Sequence, residues 1–224
     1  RDGQQPIIFM QCGPIRHKAV QPLDAPRDLA VTPQFIESPI ALLPEAGIQD
    51  VFRHLAQDAA RTAAIASAIT EAFQQGRKVL ALTERTEHID AIRAALADQV
   101  PEPFVLHGRM SKKQRAVLIA ALDGLSPDAP RLLLATGKLV GEGFDHPPLD
   151  TLVLAMPVSW KGTLAQYAGR LHREHASKND VRIIDFVDTG HPALLRMWDK
   201  RQRGYRAMGY RVDSGAPFVG NLVG

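Results

Sequence analysis

Arg170 and Arg173 stand three positions apart in the run Gln166-Tyr167-Ala168-Gly169-Arg170-Leu171-His172-Arg173. On a helix both guanidiniums leave from one face, and Gln166, four positions before Arg170, lies on the same side. Two planar, permanently charged donors at fixed spacing suit a transferring phosphoryl group, whose developing negative charge they would stabilise. Taken alone, an Arg-x-x-Arg reads more readily as a solvated basic face. A second group lies upstream, in Ala135-Thr136-Gly137-Lys138-Leu139-Val140-Gly141-Glu142-Gly143-Phe144-Asp145, with three glycines in seven residues. Such glycines allow close backbone approach and positive φ, as phosphate or sugar contact requires. Lys138 adds a cation and Asp145 a hydrogen-bond acceptor. A Gly-rich structural turn would have the same composition, so this loop alone does not decide.

Short apolar runs and amphipathic stretches must position these groups, and they alternate along the chain. A 3–4 spacing of apolar residues predicts one helix over residues 49–75, with Gly76 as its stop. Strands are expected at 78–82, 103–106, 131–135, 151–154 and 181–187, separated by helices at 87–97, 111–122 and 163–172. Ser111 with Gln114 three residues later fits a capping box. A basic helix at 191–208 closes the pattern. Unbroken runs of four or five apolar residues indicate strands buried on both faces, hence an α/β fold with an open, mainly parallel sheet flanked by helices. In such a sheet, ligands gather at the carboxyl ends of the strands, where both candidate groups sit. Seven prolines from Pro6 to Pro44 interrupt any long element, so residues 1–48 read as an extended arm or linker, with a possible strand at Ile7-Ile8-Phe9-Met10-Gln11. The remainder divides into a domain at 49–190 and a basic helix with tail at 191–224.

Composition excludes several classes. Hydrophobic residues at 45% and charged residues at 23% mark an ordinary globular chain. No apolar run approaches the ~20 residues of a membrane span, so no membrane partner is expected. Cys12 is the single cysteine and cannot form an internal disulfide, which makes the cytoplasm the default compartment. The net charge of +3 is mild, but Arg196, Lys200, Arg201, Arg203, Arg206 and Arg211 cluster against the acid Asp199. Trp198, Tyr205 and Tyr210 in that segment could stack on bases, or could simply pack on the sheet. His107, His172 and His175 have no cysteine or carboxylate set to complete a metal site. There is no Gly-x-Ser-x-Gly elbow, no Gly-x-x-x-x-Gly-Lys-Ser/Thr phosphate loop, and no Asp-Glu-x-Asp/His box.

Taken together, Thr136-Gly137 through Gly141-Glu142-Gly143-Phe144-Asp145, followed by Gln166-x-x-Gly169-Arg170-x-x-Arg173, resemble motifs V and VI of superfamily 2 helicases in order and spacing. His107-Gly108-Arg109-Met110-Ser111-Lys112-Lys113-Gln114-Arg115 resembles the His-Gly…Arg segment that precedes them, and Thr83-Glu84-Arg85 sits where motif IV is expected. The resemblance covers roughly 77–188 and implies the C-terminal RecA-like lobe, of P-loop NTPase type. The opening Arg1-Asp2-Gly3, without Met, is read as a fragment and looks like the segment after motif III in restriction-type relatives of the DEAD/DEAH proteins. Leu171-His172, where DEAD-box proteins typically carry Thr-Gly, points away from that RNA branch.

That resemblance implies roles. Arg170 and Arg173 would be arginine fingers for ATP held on a preceding lobe, with Gln166 coupling the site. Gly141, Gly143 and Asp145 would approach the nucleotide ribose and the interlobe cleft. Thr136, Gly137 and Lys138 would contact a nucleic-acid phosphate, as would His107 and Gly108. Mg²⁺ would be held by the partner N-terminal RecA-like lobe. The expectation is therefore one lobe of an ATP-dependent helicase or translocase, DNA favoured over RNA, that does not hydrolyse ATP alone. The alternative is a non-catalytic α/β module derived from such a lobe, binding nucleic acid or protein.

Overall fold

The computed structural model describes residues 28–37, 46–137, 144–158, 161–172, 178 and 180–214. In chain order these form β1 (Asp28–Ile36), α1 (Ile48–Gln57), α2 (Ala59–Gln74), β2 (Lys78–Thr83), α3 (Thr86–Ala95), β3 (Phe104–Leu106) and α4 (Lys112–Asp123). After these come β4 (Arg131–Thr136), β5 (Thr151–Leu154), α5 (Lys161–Leu171), β6 (Asp180–Asp188), α6 (Pro192–Ala207) and β7 (Arg211–Val212). The strands make one seven-stranded sheet in the order β3-β4-β2-β5-β6-β1-β7, with every pairing parallel among the described residues.

Strand alternation divides the apolar runs between two cores. Leu80 and Leu82 of β2, Leu133 and Ala135 of β4, and Leu152 and Leu154 of β5 face one side, where α5 and α6 bring Leu164, Tyr167, Trp198 and Tyr205. Val79, Ala81, Leu132, Leu134 and Val153 face the other, covered by Ile65 and Ile69 of α2 and Ile89 and Ile92 of α3. The apolar runs therefore lack a two-residue rhythm because both phases of the strand are buried.

The structure corrects the expectation in two places. The predicted helix over 49–75 is two helices, broken at Asp58, which is extended and accepts from Arg61 N at 3.0 Å as the N-cap of α2. The second helix ends as predicted at Gly76, with φ +78 and a bond from Arg77 N to the Ala72 carbonyl at 3.1 Å. Residues 28–36, assigned to an arm by their prolines, form β1, paired to β6 along its whole length. Pro33 is tolerated there because Val31 C=O accepts from Asp213 N, which turns residues of its parity toward β7. The pairing with β7 ends at Val31, so no partner needs the N–H that Pro33 lacks. For the aromatic residues near the C-terminus, the structure decides between the two open alternatives in favour of packing. Trp198, Tyr205 and Tyr210 are 7%, 0% and 3% exposed, so none is available to stack on a base. The possible strand at Ile7–Gln11 lies outside the described residues.

Two buried ion pairs tie helices to strands. Arg61 of α2 donates Nε to Asp188 Oδ1 at 2.7 Å, Nη2 to Asp188 Oδ2 at 3.1 Å, and Nη1 to the Ala155 carbonyl at 2.7 Å. Arg201 of α6 donates Nε to Asp185 Oδ2 at 2.7 Å, and the Tyr205 hydroxyl donates to the same oxygen at 2.7 Å.

Candidate functional site

The carboxyl ends of β3, β4 and β2 lie side by side, because the register pairs Leu106 with Ala135 and Thr83 with Thr136. His107 and Gly108 therefore follow β3 beside Thr136 of β4 and Gly137 just after it, with Glu84 and Arg85 after β2 on the far side. Thr136 is partly exposed and Gly108 exposed. His107 is partly exposed overall, while its Nδ1 is buried and without a hydrogen-bond partner among the described residues. The capping box at Ser111 is present, with Gln114 N donating to Ser111 Oγ at 3.2 Å and Ser111 N to Gln114 Oε1 at 2.8 Å. It fixes the start of α4 just after the Gly108 turn.

α5 meets the same edge at Gly137. Leu164, Tyr167, Ala168 and Leu171 are buried on its inner face, leaving Gln166 exposed and Arg170 half-buried on the outer one. Tyr167 meets Gly137 directly. A Cβ at position 137 would collide with the Tyr167 hydroxyl, lie 2.9 Å from Tyr167 Cζ, and lie 3.0 Å from Glu84 Oε1. The residue after β4 must therefore be glycine for a steric reason: the phenol occupies the space of its side chain. Partial desolvation of the Glu84 carboxyl raises its pKa above the usual carboxylate range, although the residue as a whole keeps an exposed flank. Burial, followed by the charge of Glu84, raises the Tyr167 hydroxyl. Both groups thus keep their protons more readily than they would in water.

The turn carrying Glu84 is held from below. Thr83 Oγ1 bonds His88 Nδ1 at 2.8 Å, and burial followed by the nearby Arg61 charge lowers the His88 pKa to about 3, so His88 is neutral. Arg85 turns away from the strand ends, donating to Glu87 Oε1 at 3.1 Å and to the Gln49 carbonyl at 3.2 Å.

The last turn of α5 has two further holds. Lys178 Nζ donates to the Leu171 carbonyl at 2.8 Å, and His172 Nε2 lies 2.7 Å from the Tyr210 hydroxyl with the two rings stacked at 5.4 Å. Burial is the main cause of a lowered His172 pKa, so its imidazole is neutral near pH 7. Burial also lowers Lys178 to about 8, opposed by Asp150 and Asp145 and reinforced by Lys78. Lys178 sheds its proton sooner in the folded chain than in the unfolded one, where the ordinary value is 10.5. Between those values the unfolded state binds more protons, so this group makes stability rise as pH climbs from about 8 toward 10.5. A Lys178→Met variant is expected to lose that rise, read as the change in urea midpoint between pH 7.5 and pH 9.5. An equally steep rise in the variant would assign the effect elsewhere.

Of the other predicted site residues, Asp145 is exposed beside Phe144, which enters the core. Lys138, Gly141, Gly143 and Arg173 lie outside the described residues. The sequence marks Glu84 only as part of the segment where motif IV is expected, names His172 and Tyr210 separately and not as a pair, and gives Tyr167 and Lys178 no role. Tyr167 stands at an unspecified position inside the Gln166…Arg173 run, and its signal is positional: it precedes the inward-facing Ala168 and Leu171 by one and four residues. Among the described residues, no group of three or more His, Cys, Asp and Glu could hold a metal ion.

This sheet order, with a glycine turn after one strand seated on an Arg-bearing helix, defines a RecA-like lobe. Residues 61–175, more than half the chain, match the helicase conserved C-terminal domain model, and the chain belongs to that family. Two relatives share sequence. The uncharacterized protein 108L of Invertebrate iridescent virus 3 is 42% identical over 89 residues, covering 38% of this chain and 77% of that protein. The probable helicase D10 of Escherichia phage T5 is 25% identical over 142 residues, covering 63% of this chain and 31% of that protein.

Three solved structures share the fold. T4 UvsW has a TM-score of 0.62 at 17% identity, covering 83% of this chain and 40% of that one. The ATP-dependent Type ISP restriction-modification enzyme LlaBIII bound to DNA has 0.55 at 18%, covering 82% and 14%. Dbp5 of S. cerevisiae bound to RNA and ADP BeF3 has 0.53 at 16%, covering 86% and 42%. The chain thus spans less than half of D10 and of each of these three solved chains.

Proposed function

We propose that this chain is the second motor lobe of an ATP-dependent helicase or translocase acting on nucleic acid, with DNA favoured. Arg170 and Arg173 reach the terminal phosphoryl group of ATP held on a preceding RecA-like lobe, where they neutralise charge that develops as the bond to the leaving group loosens. Gln166, on the same outer face of α5, couples their position to the bound nucleotide. Gly141, Gly143 and Asp145 approach the ribose across the cleft between lobes. Thr136, Gly137 and Lys138, with His107 and Gly108 on the neighbouring strand end, take backbone phosphates of the nucleic acid. Mg²⁺ belongs to the preceding lobe.

The observation that carries this reading is the seating of Tyr167 on Gly137. It joins the residue that follows β4 to the helix that carries Arg170, so movement at the proposed phosphate contact is felt one helical turn from the proposed finger. The relatives support it further: one is a probable helicase, one structure is of an ATP-dependent enzyme bound to DNA, and one is bound to RNA and ADP BeF3. The preference for DNA rests on the likeness of the opening segment to restriction-type enzymes and on Leu171-His172.

The test is ATP turnover by the protein carrying both lobes, with and without single-stranded DNA, in the parent and in Arg170→Ala. DNA should stimulate the parent, and the variant should lose turnover by about 10³-fold or more. Turnover indifferent to nucleic acid, or a brisk ATPase from residues 1–224 alone, would contradict the reading.

A further inference from the structure

The six basic residues of the C-terminal segment have different fates in the fold. Arg201 points inward to Asp185, and Arg211 is held by Asp213 at 2.9 Å and by Asp28 at 3.7 Å. The other four, Arg196, Lys200, Arg203 and Arg206, are exposed. Their spacing of four, three and three residues aligns them along the outer face of α6. None forms an ion pair with an acid among the described residues. Arg203 Nε donates to the Asp199 carbonyl at 3.2 Å and Arg206 Nη2 to Gln202 Oε1 at 3.3 Å, bonds that leave both charges uncompensated.

We infer that this ridge is a second nucleic-acid contact, binding the phosphodiester backbone without reading bases. The inference rests on the nucleic-acid reading given above and adds a surface to it. The match is one of charge and length. Ten residues of helix extend about 15 Å, and one strand of nucleic acid presents a charge about every 3.4 Å. Four cations therefore face about four phosphates. Asp199 is the one acid on that face. The aromatic residues that could have read bases are in the core, which leaves only the phosphate chemistry. A membrane surface is a poor occupant, because the apolar face of α6 (Leu194, Met197, Trp198 and Tyr205) is already buried against the sheet and α1. α6 starts at Pro192, just after the carboxyl end of β6 at Asp188, and the ridge begins at Arg196 in its second turn.

The test is the salt dependence of binding, using residues 1–224 and a fluorescein-labelled oligodeoxythymidine. Substituting Arg196, Lys200, Arg203 and Arg206 together by Gln should flatten the plot of log affinity against log salt by about 2–3, from roughly 0.7 per phosphate contact on single strands. Arg211→Gln, an exposed but paired charge, should leave the slope unchanged. Far-ultraviolet circular dichroism of the quadruple variant should match the parent. An unchanged slope with the oligonucleotide still bound overturns the ridge alone. Absence of any binding by the parent overturns both the ridge and the proposed function. Displacement of the oligonucleotide by polyglutamate at equal charge concentration would mark an acidic-protein surface instead, and would overturn the assignment to nucleic acid.

Discussion

Asp188→Ala is expected to destabilise the fold by about 3–5 kcal/mol, the cost of stranding a buried charge by removing its partner. Arg61 is 1% exposed and Asp188 3% exposed, and two of the three guanidinium bonds end on the carboxylate. The alanine would leave Arg61 with only the Ala155 carbonyl, in a site with no room to reach water. Native domains hold only about 5–15 kcal/mol in total, so the loss should appear as a large fall in urea midpoint at unchanged slope. The location gives this loss its meaning. Asp188 ends β6, Ala155 follows β5 and Arg61 lies in the first turn of α2, so one side chain staples a helix to two strand ends at the candidate site's edge. The double variant Arg61→Met/Asp188→Leu should recover much of the loss, since an apolar pair of similar volume replaces the stranded charge. The Ala155 carbonyl then lacks a donor, which leaves a residual cost of about 1–3 kcal/mol. A shift below about 1 kcal/mol in Asp188→Ala would mean that water reaches the guanidinium and the staple is not what holds α2.

Gly137→Ala is expected to lower nucleic-acid-stimulated ATP turnover by on the order of 10²-fold, the cost of misplacing a catalytic group by about 1 Å. The new methyl would overlap the Tyr167 hydroxyl, and Tyr167 has little room to move: it is 3% exposed and belongs to the main core. The strain must be relieved by moving α5, and α5 carries Gln166 and Arg170. Overpacking of this kind also costs about 1–3 kcal/mol of stability. The added Tyr167→Phe change removes the overlapping oxygen while leaving the ring carbon 2.9 Å from the new methyl, so it should restore part of the turnover. Parent-like turnover in Gly137→Ala alone would show that the Gly137–Tyr167 contact does not position the arginine helix.

Much of this architecture is legible in the residues because local and global signals agree. The runs that form β2, β4 and β5 are apolar without alternation, and the structure buries them on both faces. Ser111 with Gln114 gives α4 its start, and Gly76 gives α2 its end. The signals failed where tertiary context overrides a local rule. Pro33 argues against a strand, yet β1 forms because its open side needs no N–H from that residue. Asp58 sits inside a continuous apolar rhythm, and only its role as an N-cap shows that the rhythm belongs to two helices. β7 has just two residues, too few to carry a pattern. At the candidate site, residue types and order indicated Thr136, Gly137 and Arg170. Tyr167 and Glu84 are brought to Gly137 by the sheet order β4-β2 and by the approach of α5, neither of which is written in any short stretch of chain.

The most direct measurement takes Arg170→Ala in the two-lobed protein and determines ATP affinity and single-turnover hydrolysis on the same sample. If Arg170 acts on the transferring phosphoryl group, ATP affinity should stay within a few fold of the parent while the hydrolysis rate falls about 10³-fold or more, because the interaction is made chiefly in the transition state. Hydrolysis at the parental rate, or a loss of turnover explained entirely by weaker ATP binding, would contradict the assignment of this chain as the lobe that supplies the arginine.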